Sequence, residues 1–216
     1  VLFRSDRRSI GAASLALSPV PRSTGVSPIT EALDRLWDYF VFFGAYDKKP
    51  QPFPVFNTIL GNNLLTPAHL ARDYTTLARG GRPVSLKLFE EQQQSIDEAV
   101  REAQALRVSD YAYIQLQNLL QEVVRSGTAR RISDYSNLVV GKTGTTNYNR
   151  DAWFAAITKN ITVVTWVGYP ENRRSLGARG EGGKSAVPIF KDFFDQYLTI
   201  NPEAKTLTFT QSQPEQ

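Results

Sequence analysis

Apolar residues recur at helical spacing in four stretches of the chain, and between the last two they give way to short β-rich runs. Ser27-Pro28 is a cap-plus-proline start, followed by Ile29, Leu33, Leu36, Trp37 and Phe40 on one stripe, and Gly44 closes that helix. Thr66-Pro67 repeats the same start, and Leu70, Tyr74 and Leu77 carry a helix that stops at Gly80-Gly81. From Ser109 to Arg125 the positions Ala112, Leu116, Leu119, Leu120 and Val123 follow a 3.6-residue period that ends at Ser126-Gly127. The pattern then changes to Leu138–Val140, Ala152–Ile157 and Ile161–Val167, three strands in sequence that predict an antiparallel meander. Asn147-Tyr148-Asn149 supplies the first turn and Lys159-Asn160 a two-residue hairpin loop. A last helix is predicted over Ser185–Leu198, with Val187, Ile189, Phe190, Phe193, Phe194 and Tyr197 as its apolar positions. Helices, then a sheet, then a docking helix define an α+β class.

The remaining segments carry less. Ser18 to Gly25 and Lys49 to Pro54 are proline-marked connectors, Pro83 to Phe89 is a predicted strand, and Glu90 to Ala105 is polar and charged. The chain lacks methionine even at position 1, so it reads as an internal fragment. Residues 1–5 are expected to be a non-native leader, with native sequence from Asp6 and no structural role for Val1 to Ser5. Residues 201–216 are expected to form a loose C-terminal tail.

Composition narrows the chemistry. With 216 residues, 41% hydrophobic, the chain can bury a core. A net charge of +4 is spread along the sequence with no lysine/arginine block, so nucleic acid is not an expected partner. No run approaches the roughly 18 to 20 apolar residues of a membrane helix, so any anchor is expected outside this chain. The absence of cysteine removes disulfides and thiolate metal sites, and one histidine, His69, argues against a His-based metal site or a Ser-His-Asp triad. No metal and no cofactor is expected. His69 lies in the first turn of its helix with no acid nearby and receives no role.

Gly141-Lys142-Thr143-Gly144-Thr145 is the motif that carries chemistry. Gly141-Lys142-Thr143 could end a phosphate-binding P-loop, but the glycine required five residues earlier is Ser136, and Gly144, Asn147 and Asn149 oppose the helix that would aim N–H groups at phosphate. Lys142-Thr143-Gly144-Thr145 also matches the K-T-G element of the penicillin-recognising serine acyltransferases. That use needs the motif at the end of an edge strand, where lysine sets a fixed charge beside a substrate carboxylate, threonines add directed hydrogen bonds and Gly144 admits close approach. Arg150 and Asp151 read as turn chemistry or a local ion pair, and Trp153 and Trp166 as sheet-packing aromatics. Gly182-Gly183 reads as a close approach before the last helix.

Longer blocks extend that match. Leu64 to Gly81, Val123 to Arg131, Gly141 to Thr158, Thr165 to Tyr169 and Gly182 to Phe190, in this order and with similar gaps, resemble class A penicillin-binding proteins over residues 6 to 198. The resemblance implies an incomplete penicillin-binding/serine transpeptidase (β-lactamase-like) fold over residues 6–200, the C-terminal part of the transpeptidase domain of a bifunctional peptidoglycan synthase. It further implies peptidoglycan stem peptides ending in D-Ala-D-Ala and β-lactams as ligands, cell-wall synthesis proteins as partners, and a place at the extracytoplasmic face of the bacterial inner membrane. Lys142 becomes the motif lysine, Thr143 and Thr145 bind the ligand carboxylate with Gly144 beside them, and the Thr145 backbone N–H completes an oxyanion hole. The glycosyltransferase domain, the anchor and the S-x-x-K serine would lie upstream. None of the eight lysines has a serine three residues before it, so this chain alone is expected to be inactive. The family's S-x-N element is also missing: Ser9-Ile10-Gly11 stands in its place, so Ser9 is either the proton-shuttling serine or a capping or exposed one. Gly11 keeps open a non-catalytic relative that binds cell-wall peptides or partner proteins. A D,D-carboxypeptidase or β-lactamase is the alternative within the superfamily.

Overall fold

The protein is described by a computed structural model covering residues 2–4, 65–82, 84, 109–171 and 174–209. The helix expected from Ser27, the connectors, the polar stretch and the strand over 83–89 (apart from Val84), together with Ser9 and Gly11, lie outside these residues.

The helical starts read at Thr66 and Ser109 are realised. The Thr66 hydroxyl accepts from the His69 N–H at 3.1 Å and Pro67 opens α1, Pro67–Ala78. Its end is closed by Gly80 and Gly81, with φ of 69° and 83°, as the Gly81 N–H returns to the Thr76 carbonyl. The Ser109 hydroxyl accepts from Ala112 N–H and opens α2, Asp110–Arg125.

The sheet has four antiparallel strands in the order β1 (Leu2–Arg4), β4 (Ile161–Gly168), β3 (Asp151–Ile157), β2 (Val140–Thr145). Leu2–Arg4, given no role in the sequence, pair along β4 from Leu2 opposite Val163 to Arg4 opposite Ile161. The meander is as expected, including the hairpin: Thr158 N–H donates to the Ile161 carbonyl, leaving Lys159-Asn160 as a two-residue loop. The first strand differs. It covers the motif itself rather than ending before it, because pairing with β3 satisfies the backbone where the side chains carry no alternating apolar signal.

The last helix, α3, spans Gly182–Ile200 and starts three residues before Ser185, with no side-chain cap. Two glycines open it because only bare Cα atoms fit there. A Cβ on Gly182 would stand 2.4 Å from the Trp153 carbonyl oxygen and 2.6 Å from that of Gly144, and one on Gly183 2.3 Å from that of Thr128. The expected loose tail is corrected for residues 201–209. A short 3-10 helix, Pro202–Thr206, buries Ala204, and Phe209 packs beside Leu120, Val140 and Ile157 while its N–H bonds the Asn137 carbonyl. Apolar burial holds a segment whose local sequence reads as polar.

The sheet separates two layers. On one side, Ala152, Phe154, Ala156, Ile161 and Val163 meet Val187, Phe190, Phe194 and Leu198 of α3. The Phe154 and Phe190 rings pack edge-on at 5.1 Å, and Phe190 stacks on Phe194 at 5.3 Å. On the other side lie α1 and α2, through Ala71 against Ala155 and Val164 and Leu120 against Val140 and Ile157.

Candidate active site

Strand alternation distributes the motif between these layers. Lys142 is opposite Ala155 and Gly144 opposite Trp153, on the side of α1 and α2; Thr143 is opposite Phe154 and Thr145 opposite Ala152, on the side of α3. β2 is the edge of the sheet, with no strand beyond it among the described residues. The Thr146 N–H donates to the Asp151 carbonyl, which makes that pair a hydrogen-bonded one. By the two-residue alternation of an antiparallel ladder, the main-chain groups of Thr145 and Thr143 then point away from β3 to the open edge. Lys142 is exposed, and its Nζ donates to the Thr143 carbonyl at 2.7 Å on that edge.

The two motif threonines are held differently. Thr143 is 8% exposed, and its Oγ1 lies 2.5 Å from the Oγ1 of Thr128, an exposed residue beyond the end of α2. Thr145 is exposed, and its hydroxyl accepts the Gly182 N–H from the first turn of α3 at 3.1 Å. That bond occupies a lone pair and leaves the Thr145 proton free to be donated. The missing Cβ of Gly144 leaves room for Trp153, whose own Cβ would lie 3.3 Å away.

The turn after the motif is built from polar groups. The buried Asp151 carboxylate accepts from the Thr146 hydroxyl at 2.9 Å and from the Trp166 indole N–H at 3.0 Å, and the Asp151 N–H returns to the Thr146 hydroxyl at 2.9 Å. Asp151 is therefore turn chemistry, and Trp153 and Trp166 face each other at 5.9 Å as sheet-packing rings. Arg150 lies 5.4 Å over the ring of Tyr148 rather than in an ion pair with Asp151. Tyr148 and Asn149 have φ of 62° and 51°, and the turn is clamped as Asn149 donates through Nδ2 to the Gly177 carbonyl and accepts from Leu176 N–H.

The structure thus brings Lys142, Thr143, Gly144 and Thr145 to one edge. A strand through Lys142 in place of a helix starting there also removes the P-loop alternative. Thr128 and the Gly182 N–H join the motif without any local pattern that marks them. The Val123–Arg131 and Gly182–Phe190 blocks contain both residues, but only tertiary contact brings Thr128 to Thr143 across fifteen positions. No group of three or more metal-ligating side chains occurs among the described residues.

An antiparallel sheet with a long C-terminal helix on one side and a K-T-G-T strand at its open edge defines the penicillin-binding transpeptidase fold. The family described as penicillin binding protein transpeptidase domain matches residues 54–195, and the chain belongs to it. Penicillin-binding protein 1A of Neisseria flavescens is 33% identical over 155 residues, covering 67% of this chain and 19% of that protein. Its counterpart from Neisseria lactamica is 34% identical over 165 residues, 71% of this chain and 20% of that protein. The chain therefore spans about a fifth of the length of these curated relatives. The crystal structure of penicillin-binding protein 1A from Haemophilus influenzae superposes with a TM-score of 0.61 at 22% identity over 77% of this chain and 31% of the other, a likeness of fold.

Proposed function

We propose that the chain forms one wall of the D,D-transpeptidase centre of a bifunctional peptidoglycan synthase that cross-links stem peptides at the extracytoplasmic face of the inner membrane. The single observation that carries this reading is the complete Lys142–Thr145 motif on an open edge strand, with a charge, a free hydroxyl proton and outward main-chain groups side by side.

In the reaction, a serine outside this chain, activated by its own lysine, attacks the D-Ala-D-Ala carbonyl, and D-Ala leaves as the acyl-enzyme forms. Lys142 supplies positive charge beside the ligand carboxylate, and Thr145 donates to that carboxylate through its hydroxyl. The outward Thr145 N–H stabilises the oxyanion that develops on the attacked carbonyl, a contribution of roughly 3 to 4 kcal/mol for one such donor. Ser9 would return the proton to the leaving amine. An amine of a second stem peptide then takes the acyl group, and a β-lactam stops at the first step. Reading the gene upstream of the Asp6 codon tests the proposal. An in-frame S-x-x-K is expected there, and native sequence continuing through a full transpeptidase domain without one would favour the non-catalytic binding relative.

A further inference from the structure

Thr143 bears the motif's central hydroxyl but is only 8% exposed, whereas its 2.5 Å partner Thr128 is exposed. Two hydroxyls sharing one hydrogen bond hold two protons, of which one lies between the oxygens and the other is donated outward. Burial decides which oxygen faces outward: the exposed one. Thr143 then donates to Thr128, and Thr128 donates to whatever stands at the edge, each bond polarising the next. Thr128 is held there by the same helix turn that holds Thr145. A Cβ on Gly183 would lie 2.3 Å from the Thr128 carbonyl oxygen, and the neighbouring Gly182 N–H bonds the Thr145 hydroxyl.

We propose that Thr128 is the residue that meets the ligand carboxylate beside Thr145, with Thr143 behind it as a relay. The inference rests on the reading of this chain as the wall of an acylating transpeptidase, and it makes Thr128 a ligand-binding residue outside the K-T-G-T motif. Lys142, Thr145 and Thr128 then offer an ammonium and two hydroxyl donors along one edge, a set that suits a carboxylate.

The experiment measures acylation of the full-length protein by a fluorescent penicillin and by its methyl ester, which lacks the carboxylate. Thr128→Val keeps the shape and removes the hydroxyl, and it should slow acylation by the free acid roughly 10- to 100-fold, as for loss of a hydrogen bond to a charged group. Acylation by the ester, whose uncharged carbonyl is a weaker acceptor, should slow by a much smaller factor, and Thr128→Ser should restore the rate with the acid. If Thr128→Val does not fold, Thr128→Ala at this exposed position should show the same larger loss with the acid. Equal slowing of acid and ester, an unaltered rate with the acid, or no rescue by serine would overturn the inference. A wild-type protein that is not acylated at all overturns the proposed transpeptidase function, and this inference falls with it.

Discussion

The two sides of the sheet are built on opposite principles. Against α3 stands a continuous apolar layer, with Phe154, Phe190 and Phe194 at most 1% exposed and in ring contact. Against α1 and α2 the apolar clusters are small, and polar atoms are buried among them. Among the described residues, the buried side-chain oxygens that lack a hydrogen-bond partner include Asp73 Oδ1, Thr76 Oγ1, Asn118 Oδ1 and Gln121 Oε1 on those helices, and Thr162 Oγ1 on β4 opposite Ile157. Buried oxygens without partners cost free energy, and rings in a close-packed layer gain it, so the α3 side is the one that holds the fold. The motif strand lies along the seam. Thr143 and Thr145 are set from the stable side, while Lys142 extends from the polar one.

The largest effect should come from breaking the stable side. Phe190→Ala leaves a void between Phe154 and Phe194 and should cost about 3 to 5 kcal/mol, whereas Leu120→Ala, in a smaller cluster, should cost closer to 2. Urea unfolding of both variants reads the difference, and equal losses would mean that the two sides share the burden.

The next effect belongs to the polar side. Burial pushes the Asp73 carboxyl up from 3.8 to about 8, against the lowering influence of the Arg72 guanidinium. A raised folded value means that the native state retains a proton the unfolded chain has lost. The contribution to stability is therefore complete below pH 3.8 and is lost as pH rises through 8. Between those limits stability should decline steadily as pH rises. Asp73→Asn should flatten that decline and be the more stable protein at pH 9. Parallel pH–stability curves for the two proteins would refute the assignment.

At the seam, Gly182→Ala tests whether α3 sets the motif. Its Cβ would meet only backbone, at 2.4 Å and 2.6 Å, so strand or helix must move, at a cost of about 1 to 3 kcal/mol. The Gly182–Thr145 bond should break with it. A melting temperature like that of the wild type would show that the approach of α3 is looser than these distances.

These contrasts also explain what the sequence disclosed. α1, α2, β3 and β4 were legible because Thr66-Pro67, Ser109 and the runs Ala152–Ile157 and Ile161–Val167 express local capping and periodicity. The extent of β2, the start of α3 and the docking of Phe209 were not, since each depends on contacts between segments far apart in the chain. Glycine is a poor helix former, so Gly182-Gly183 hid the first turn that tight packing imposes. In the site, the lysine and threonines were evident as a motif, but the division of labour between Thr143 and Thr128 follows from burial, which no local pattern encodes.

The smallest effect lies at the solvent-facing rim of α3, where the Tyr135 ring packs edge-on against Phe194 at 5.3 Å. Lys191 donates to Asp195 at 2.8 Å one turn on, and the Tyr135 hydroxyl donates to the same carboxylate. The Lys191 bond, then that of Tyr135, holds the Asp195 carboxyl below its ordinary value. A lowered acid stabilises the fold above its unfolded value, and that contribution is lost as pH falls through the folded one, the reverse of Asp73. Because all three groups meet solvent, the gain is screened, and Asp195→Asn should shift the unfolding midpoint only slightly at pH 7 in dilute buffer and still less in 1 M salt. If Asp195→Asn instead destabilised the protein as much as Phe190→Ala, independent of salt, the hold on α3 would come from this outer trio as well as from the aromatic layer beneath it.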